Sequence, residues 1–438
     1  MKNNLSIQYV SSDIIKEYSN NAKIHNDHQI NQIAKSIKTF GMLNPVLLNQ
    51  DDTLIAGHGR LLALKKLGHS SIPCVYAKHL TKSEVNAYRI ADNKLSENAQ
   101  WDTELLTIEL KTLDELEVNF DFDTLGFDAI EVDSLLHYKG DEACAEEVLP
   151  EIPQTPISQM GDIFHCGPHR VGCGDCRDHA FIKRLFKRSK ASICITDSPY
   201  NVPIAGHVRG KGKDQFTDFT MASGEMTSDE FTQFLLLSFL NLKKVCKDGS
   251  LFYLFCDWRM LKELFAATDE IFTSMLNLCV WKKSNGGMGS FYRSKHELVG
   301  VFKHGKTPHV NNVQLGKYGR DRCNVWNYPG VSSFGKDRDE ALAMHPTVKP
   351  VAMLKDILLD ASKPNDIVID GFLGSGSTLI AAEKVRRRCF GVEIDPKYVD
   401  VILNRYRNDT GDEPIHVESG LTFSELEKLR STASGGSR

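Results

Sequence analysis

Two short segments carry side chains whose types and spacing suit a single reaction. The first is Asp197-Ser198-Pro199-Tyr200, which follows the apolar run Ala191–Thr196. The second spans Ile367 to Tyr398 and reads I-V-I-D-G-F-L-G-S-G-S-T-L-I-A-A-E-K-V-R-R-R-C-F-G-V-E-I-D-P-K-Y. A carboxylate and the carbonyl of the next residue can together accept both N–H bonds of one amino group and draw its nitrogen toward tetrahedral geometry. A nucleobase amino group needs this help, because its lone pair is delocalised into the ring. Asp197 supplies the carboxylate and Ser198 the carbonyl, while Pro199 stiffens the loop. Tyr200 offers a ring on which a base can stack, worth ~1–3 kcal/mol. In the second segment Gly374 and Gly376 permit a tight turn and close approach of backbone to a ligand. Glu393 ends the following strand, where a dinucleotide fold places the acid that holds ribose hydroxyls. The turn lacks Gly-x-Gly-x-x-Gly and Gly-Lys-Ser/Thr, which disfavours nicotinamide cofactors and ATP.

F-L-G-S-G-S followed by G-V-E-I-D-P resembles the S-adenosylmethionine site of the amino-directed DNA methyltransferases. D-S-P-Y resembles their Asp-Pro-Pro-Tyr signature, with Ser198 in place of one proline. The resemblance implies S-adenosylmethionine as cofactor, contacted by Asp370, Phe372, Gly374, Ser375, Gly376 and Glu393, and catalysis by Asp197, Ser198, Pro199 and Tyr200. H-R-V-G-C-G-D resembles the strand end that holds the cofactor's adenine, with Asp175 as acceptor and Cys176 beside it. H-P-T-V-K-P, His345 to Pro350, resembles the segment that grips the amino-acid end, with the Thr347 hydroxyl and a Lys349 cation for the carboxylate. Gly371 replaces the family's usual proline and is expected to soften the turn. D-S-P-Y precedes F-L-G-S-G-S, the permuted order of the β group. Displacement from a sulfonium needs in-line alignment and neither metal nor covalent intermediate. The one Pro-Cys pair, Pro73-Cys74, lies far from the cofactor motif, and Cys74 reads as core. Cys173 and Cys176, near His165, Cys166 and His169, fit half a zinc site, but no second pair follows; no metal is expected.

The elements that must position these groups read as α/β: a doubly wound, Rossmann-like, largely parallel sheet in permuted order, preceded by a smaller α/β domain with a helical extension. A chain of 438 residues calls for two or three domains. Residues 1–80 show a helix from His28 to Phe40, strands Pro45–Asn49 and Thr53–Ala56, and G-H-G-R-L-L-A-L-K-K-L-G from Gly57. They resemble the ParB-like domains of chromosome-partitioning proteins, with His58-Gly59-Arg60 where that family more often has Gly-x-Arg-Arg. The glycine turn and helix start could hold an anion, so nucleotide binding stays open beside a structural turn. Residues 81–138 read as helices Lys82–Ala91, Thr103–Leu116 and Asp128–Leu135, with Ala91–Lys94 as a helix end or turn. Residues 139–158, with five acids and three prolines, read as an extended, mobile linker. Residues 159–410 form the methyltransferase domain: helix Thr227–Val245 ended by Gly249, strand Ser250–Cys256, helix Trp258–Ile271 and strand Leu276–Trp281. Regular periodicity fades between Lys282 and His345. The polar residues 411–438 read as disordered.

The net charge of −4 gives no global basic excess, so contacts to double-stranded DNA must be local. We place target recognition within about residues 202–344, with Arg209, Lys211, Lys282, Lys283, Arg293 and Lys295 as DNA cations. Lys317, Arg320 and Arg322 add charge. No apolar run approaches the ~20 residues of a membrane span. Eleven cysteines without a signal peptide suggest reduced thiols in a cytoplasm, and the resemblance implies a bacterial or phage-encoded protein acting there on DNA. The expected activity is site-specific transfer to adenine N6 in a flipped-out base. The rivals are cytosine N4, an RNA or protein-amide acceptor, and a non-catalytic DNA-binding or partitioning protein. A homodimer and a partner restriction nuclease are left open.

Overall fold

In the computed structural model, which describes residues 5–99, 101–115, 122–136, 150–201, 224–284, 292–313, 320–329 and 348–434, the chain divides into units Met1–Gly140 and Asp141–Arg438. The first unit contains β1 (Gln8–Ser11), α1 (Asp27–Phe40), β2 (Val46–Leu48), β3 (Leu54–Ala56), α2 (His58–Lys66), β4 (Ser71–Tyr76), α3 (Lys82–Glu97), α4 (Thr103–Glu115) and α5 (Ala129–Leu136). Its sheet order is β1-β4-β2-β3, over a core of Val46, Leu48, Leu54, Leu61, Leu64, Ile72 and Cys74. Asn26 caps α1 by accepting from the Gln29 N–H at 2.8 Å, as short polar side chains do at helix starts. Gly57, at φ 95°, turns the chain into α2, and the half-buried Arg60 packs against it.

The expected helix end at Ala91–Lys94 is corrected: α3 continues to Glu97. Asn93 donates to the Arg89 carbonyl one turn back, at 2.9 Å, so it does not break the helix. Arg89 anchors this helix by donating to the Leu54 carbonyl and stacking 3.7 Å from the Tyr18 ring centroid.

The second unit contains β5 (Ile163–Cys166), β6 (His169–Cys173), α6 (His179–Phe186), β7 (Ala191–Thr196), α7 (Ser228–Lys244), β8 (Cys246–Cys256), α8 (Leu261–Thr268), β9 (Ser274–Lys282), β10 (His296–Lys303), β11 (Val325–Asn327), α9 (Val351–Ala361), β12 (Ile367–Asp370), α10 (Ser377–Lys384), β13 (Arg388–Glu393), α11 (Pro396–Thr410), β14 (Ile415–His416) and α12 (Phe423–Ser434). The sheet order is β11-β9-β10-β8-β7-β12-β13-β6-β5-β14. The central run from β8 to β6 is parallel. Antiparallel pairs flank it on both sides, so the sheet is mixed where a largely parallel one was expected.

Strand alternation divides the core into two layers. Ile193, Ile195, Val368 and Cys389 face α9, α10 and α11, while Ala191, Cys194, Ile367, Ile369, Phe390 and Val392 face α6, α7 and α8. Every residue of β7 is buried, which is why it reads as a continuous apolar run. Each such aliphatic side chain stabilises the fold by about 1.5–3 kcal/mol. Thr227 and Glu230 form a reciprocal capping box at the start of α7.

Several expectations need correction. Gly249 does not end a helix. β8 starts directly after α7, and Gly249 lies inside the strand at φ 89°, where a Cβ would sit 2.9 Å from two backbone carbonyls. The interval of faded periodicity contains β10, whose buried run pairs with β8 and β9. The linker is pinned at its end: the Ile157 and Ser158 N–H groups donate to Asp400. Residues 139–149 lie outside the described residues.

The tail correction is the largest. β14 pairs with β5, and Thr422 and Glu425 cap α12 reciprocally. Phe423 and Leu426 are buried in the core layer beside α11, and Arg430 bonds Asp162 at 2.5 Å. Residues 435–438 lie outside the described set. Among the described residues no helix is long and apolar enough to cross a membrane. Ten cysteines there are free thiols, nine of them buried.

Phe423→Ala should therefore lower stability by roughly 3 kcal/mol, the usual cost of such a cavity. Urea unfolding of the full chain checks this; a change within error would mean that α12 contributes nothing.

Candidate functional site

β7 and β12 are adjacent and parallel, so their C-terminal ends emerge together although they are far apart in sequence. Thr196, the last residue of β7, donates its hydroxyl to Asp370 Oδ1 at 3.0 Å and accepts from the Gly371 N–H at 3.1 Å. Asp370 also accepts from the Phe372 N–H at 3.1 Å and the Thr378 hydroxyl at 2.7 Å. Gly371 was expected to soften this turn. Its N–H is instead a donor that proline would lack, and it ties the turn to Thr196. Burial pushes the Asp370 carboxyl up to about 7, against the three groups that donate to it.

The glycine turn follows. Gly374 and Gly376 have φ of 54° and 85°, and a Cβ on Gly374 would meet nothing within 4 Å, so the turn opens onto free space. Glu393, at the end of β13, accepts from the Gly374 N–H at 2.8 Å and the Asp395 N–H at 2.9 Å. Burial raises its pKa to about 7. The Gly174 N–H donates to the Glu393 carbonyl, bringing the end of β6 to the same place. Asp175, expected to meet an adenine amino group, is paired with the Arg177 guanidinium at 2.7 Å, and Cys176 is buried beside it. Phe372 packs against Phe234. Ser375 is buried, and its carbonyl accepts from Arg405. These residues form a cradle with an oriented acid, open space over a glycine turn and an aromatic flank.

On the other side of the Thr196–Asp370 tie stands D-S-P-Y. Tyr200 Oη donates to Asp197 Oδ1 at 2.7 Å, and Lys349 Nζ contacts Asp197 Oδ2. Ser198 is buried. Lys349, expected to meet a cofactor carboxylate, lies between Asp197 and Glu297 and is ringed by Tyr200, Phe255 and Trp281 at 5.8, 5.4 and 5.9 Å. Thr347 lies outside the described residues. Burial raises the pKa of Asp197 and outweighs the Lys349 ammonium beside it. Burial works against the charge of Lys349, but Asp197 and Glu297 prevail and raise its pKa.

Three residues at the site went unnoticed in the sequence: Glu297, Thr196 and Asn201. Glu297 is a buried acid on β10 that contacts Lys283 and Lys349. Burial would raise its pKa, but those two lysines pull it down to about 2. Asn201 adopts φ 51°, a conformation asparagine tolerates well. Its side chain accepts from the Gly224 and Met226 N–H groups and donates to the Met226 carbonyl. Of the residues beside Glu297, Lys295 alone was singled out in the sequence, as a DNA cation.

The proposed DNA cations divide. Lys282, Arg293 and Lys295 are exposed, beside exposed Tyr292 and Trp258. Lys283 turns inward to Glu297. Arg320 and Arg322 pair with Asp356 and Asp360 and serve the fold. Arg209, Lys211 and Lys317 lie outside the described residues. Of the residues that suggested zinc, His169 is engaged elsewhere: its Nε2 contacts Glu383 at 2.5 Å, and its Nδ1 accepts from the Cys389 N–H. Cys166, Cys173 and Cys176 are buried.

This arrangement agrees with the family comparisons. Residues 191–404 match the family described as DNA methylase, residues 2–93 the ParB N-terminal domain, and residues 104–160 the ParB-methyltransferase HTH domain. Residues 191–404 thus carry a DNA methylase domain of the N6/N4 family, and a ParB-like domain precedes it at residues 2–93. The chain is similar to the type II methyltransferase M2.MboI of Moraxella bovis, 30% identical over 143 residues that cover 31% of this chain and 51% of that protein. It is also similar to M.HinfI of Haemophilus influenzae, 24% identical over 245 residues, 53% of this chain and 67% of that protein. The chain thus spans about half the length of M2.MboI. Among solved structures it is similar to PvuII DNA methyltransferase, described as cytosine-N4-specific, at 14% identity and a TM-score of 0.41 over 64% of this chain and 95% of that one.

The raised carboxyl groups give a pH signature. Asp370 and Glu393 hold protons to about pH 7 when folded, but ordinary carboxyls lose them near pH 4. Between those limits the folded state binds more protons than the unfolded one, so stability falls as pH rises, by up to ~1.4 kcal/mol per unit and group. Denaturant unfolding across this window should show that slope, and Asp370→Asn should flatten it by its share. An equal slope in the variant would place the proton elsewhere.

Proposed function

We propose that this chain transfers a methyl group from S-adenosylmethionine to the exocyclic N6 amino group of adenine in double-stranded DNA, with the target base flipped out of the helix. The observation that carries the reading is the Thr196–Asp370 bond, which joins segments 174 residues apart and sets D-S-P-Y beside the glycine cradle.

The cradle suits this cofactor. Glu393 is fixed by two backbone donors and keeps lone pairs for ribose hydroxyls, and the Gly374 turn leaves room above it. Bound there, S-adenosylmethionine supplies a methyl group activated by its sulfonium charge. The chain's own groups prepare the acceptor. Asp197 and the Ser198 carbonyl take the two amino N–H bonds, and Pro199 limits the loop's freedom. The Tyr200 ring, steadied through its hydroxyl, receives the base and offsets part of the few kcal/mol that flipping costs. Asp197 at the first position of D-S-P-Y supports adenine, because in the family that this motif resembles the cytosine-N4 enzymes more often carry serine there. The exposed Lys282, Arg293 and Lys295 lie on the hairpin that also brings Lys283 and Glu297 to the site, and they suit phosphate contacts near the flipped base. For the first unit, the Gly57 turn and the start of α2 support a nucleotide or other anion as ligand.

Incubation of the full chain with methyl-labelled S-adenosylmethionine and unmethylated DNA, followed by mass analysis of nucleosides, should yield N6-methyladenine. N4-methylcytosine in its place would reverse the choice of base. Asp197→Ala should cut transfer by at least roughly a hundredfold, the scale of losing a charged acceptor at the reacting group, while cofactor affinity by calorimetry stays intact. Full-rate transfer by that variant would refute the assignment.

A further inference from the structure

Two donors occupy Asp197: the Tyr200 hydroxyl on Oδ1 and the Lys349 ammonium on Oδ2. Both also reach a single oxygen of Glu297. Tyr200 Oη lies 3.2 Å from Glu297 Oε2, and Lys349 Nζ lies 3.3 Å from it. The other oxygen, Oε1, is held by Lys283. Glu297 stands opposite Trp281 in the β9–β10 register and is buried. Burying a carboxylate costs several kcal/mol unless it is paired, and a neutral residue at this place would spare that cost.

Taking Asp197 as the acceptor of the target amino group, we propose that Glu297 is a positioning residue: it receives the Lys349 ammonium and the Tyr200 hydroxyl as the base enters, so that Asp197 is free to accept the amino N–H. A carboxylate has about four lone-pair sites, and an ammonium and a phenol on its two oxygens compete with a third donor. Releasing them without a second acceptor would strand a buried ammonium and a buried hydroxyl, each at the full desolvation cost. Glu297 Oε2 lies within reach of both, so the exchange leaves no group unpaired.

The recess stays neutral through this exchange. Asp197 and Glu297 balance Lys349 and Lys283, the Tyr200 hydroxyl changes acceptor without changing charge, and the remaining titratable neighbours, Cys256 and Asp370, keep their places. The grip of Lys283 on Oε1 holds the Glu297 carboxylate with Oε2 presented to the site. The three rings around Lys349 give its charge favourable faces on either side of the shift.

The test uses the full chain, methyl-labelled S-adenosylmethionine and genomic DNA from a host lacking DNA methyltransferases. Single-turnover transfer is measured as a function of pH, and cofactor affinity by calorimetry. Glu297→Gln keeps the shape and removes the charge. Transfer should slow roughly 10- to 100-fold, the scale of one charge-assisted hydrogen bond, with cofactor affinity unchanged. The acid limb of the rate profile should move to lower pH, because removing a neighbouring negative charge favours ionised Asp197. Glu297→Asp, which keeps the charge but draws it back by one methylene, should recover part of the rate with the limb near its wild-type position. A purely structural role would change thermal stability and cofactor affinity but leave the limb in place.

Wild-type rate and an unmoved limb in Glu297→Gln, alongside an inactive Asp197→Ala, would overturn this role and leave the assignment of Asp197 standing. Full activity in Asp197→Ala would remove both. Should Glu297→Gln fail to fold, Glu297→Asp decides: a wild-type rate would overturn the role, and a reduced rate with cofactor affinity intact would uphold it.

Discussion

Asp370 is a carboxyl buried in the middle of a ten-stranded sheet, and among the described residues no cation is paired with it. It is satisfied by two hydroxyls and a backbone N–H, each net worth about 1 kcal/mol and costly to lose once buried. Strand pairing alone brings the backbones of β7 and β12 together. The hydroxyl of Thr196 and the amide of Gly371 then fix how the two strand ends leave the sheet. Everything at the site issues from those ends: the acceptor loop from one, the glycine turn from the other. This is the carboxyl edge of a parallel sheet, where open α/β folds bind ligands.

The acceptor side is organised by charge. Two carboxylates and two ammoniums share a small recess, and any one of them alone would be expensive there. Taken together they are neutral, with each oxygen and each ammonium paired. Two of the four, Lys283 and Glu297, come from the β9–β10 hairpin or the residue just beyond it, so the antiparallel extension of the sheet supplies half of the recess. The hairpin thus joins the recess to the exposed cations and aromatic rings above it.

Where chemistry is local, the sequence was sufficient. β7, the capped helix after Thr227, the glycine turn and the acid that ends β13 all announce themselves within a few residues, because apolar runs, capping pairs and glycines act on their neighbours. Glu297 did not, since an isolated acid in a strand normally faces water; only the partners brought by distant segments make it a buried one. Arg320 and Arg322 read as surface charge for the same reason, since Asp356 and Asp360 lie on α9, distant in sequence. The tail was misread because composition was weighed over pattern: Thr422-x-x-Glu425 is a capping box with Phe423 inside it and Leu426 just beyond, and burial of those two side chains outweighs the polar residues around them.

The departure at Gly371 shows how such a site tolerates substitution. A proline there, as in the family that this segment resembles, would restrict the unfolded chain and stabilise the turn by about 0.4–1 kcal/mol. It would also remove the N–H that reaches the Thr196 hydroxyl, a bond worth ~0.5–1.5 kcal/mol. The two devices are of similar size, so a glycine with a hydroxyl partner holds the turn as well as a proline without one. Space limits the choice further, because a Cβ at this position would lie 2.9 Å from the Leu242 side chain. The end of β7 and the residue after β12 are therefore best regarded as one unit: Thr196 needs an amide opposite it, and Gly371 supplies that amide without crowding α7.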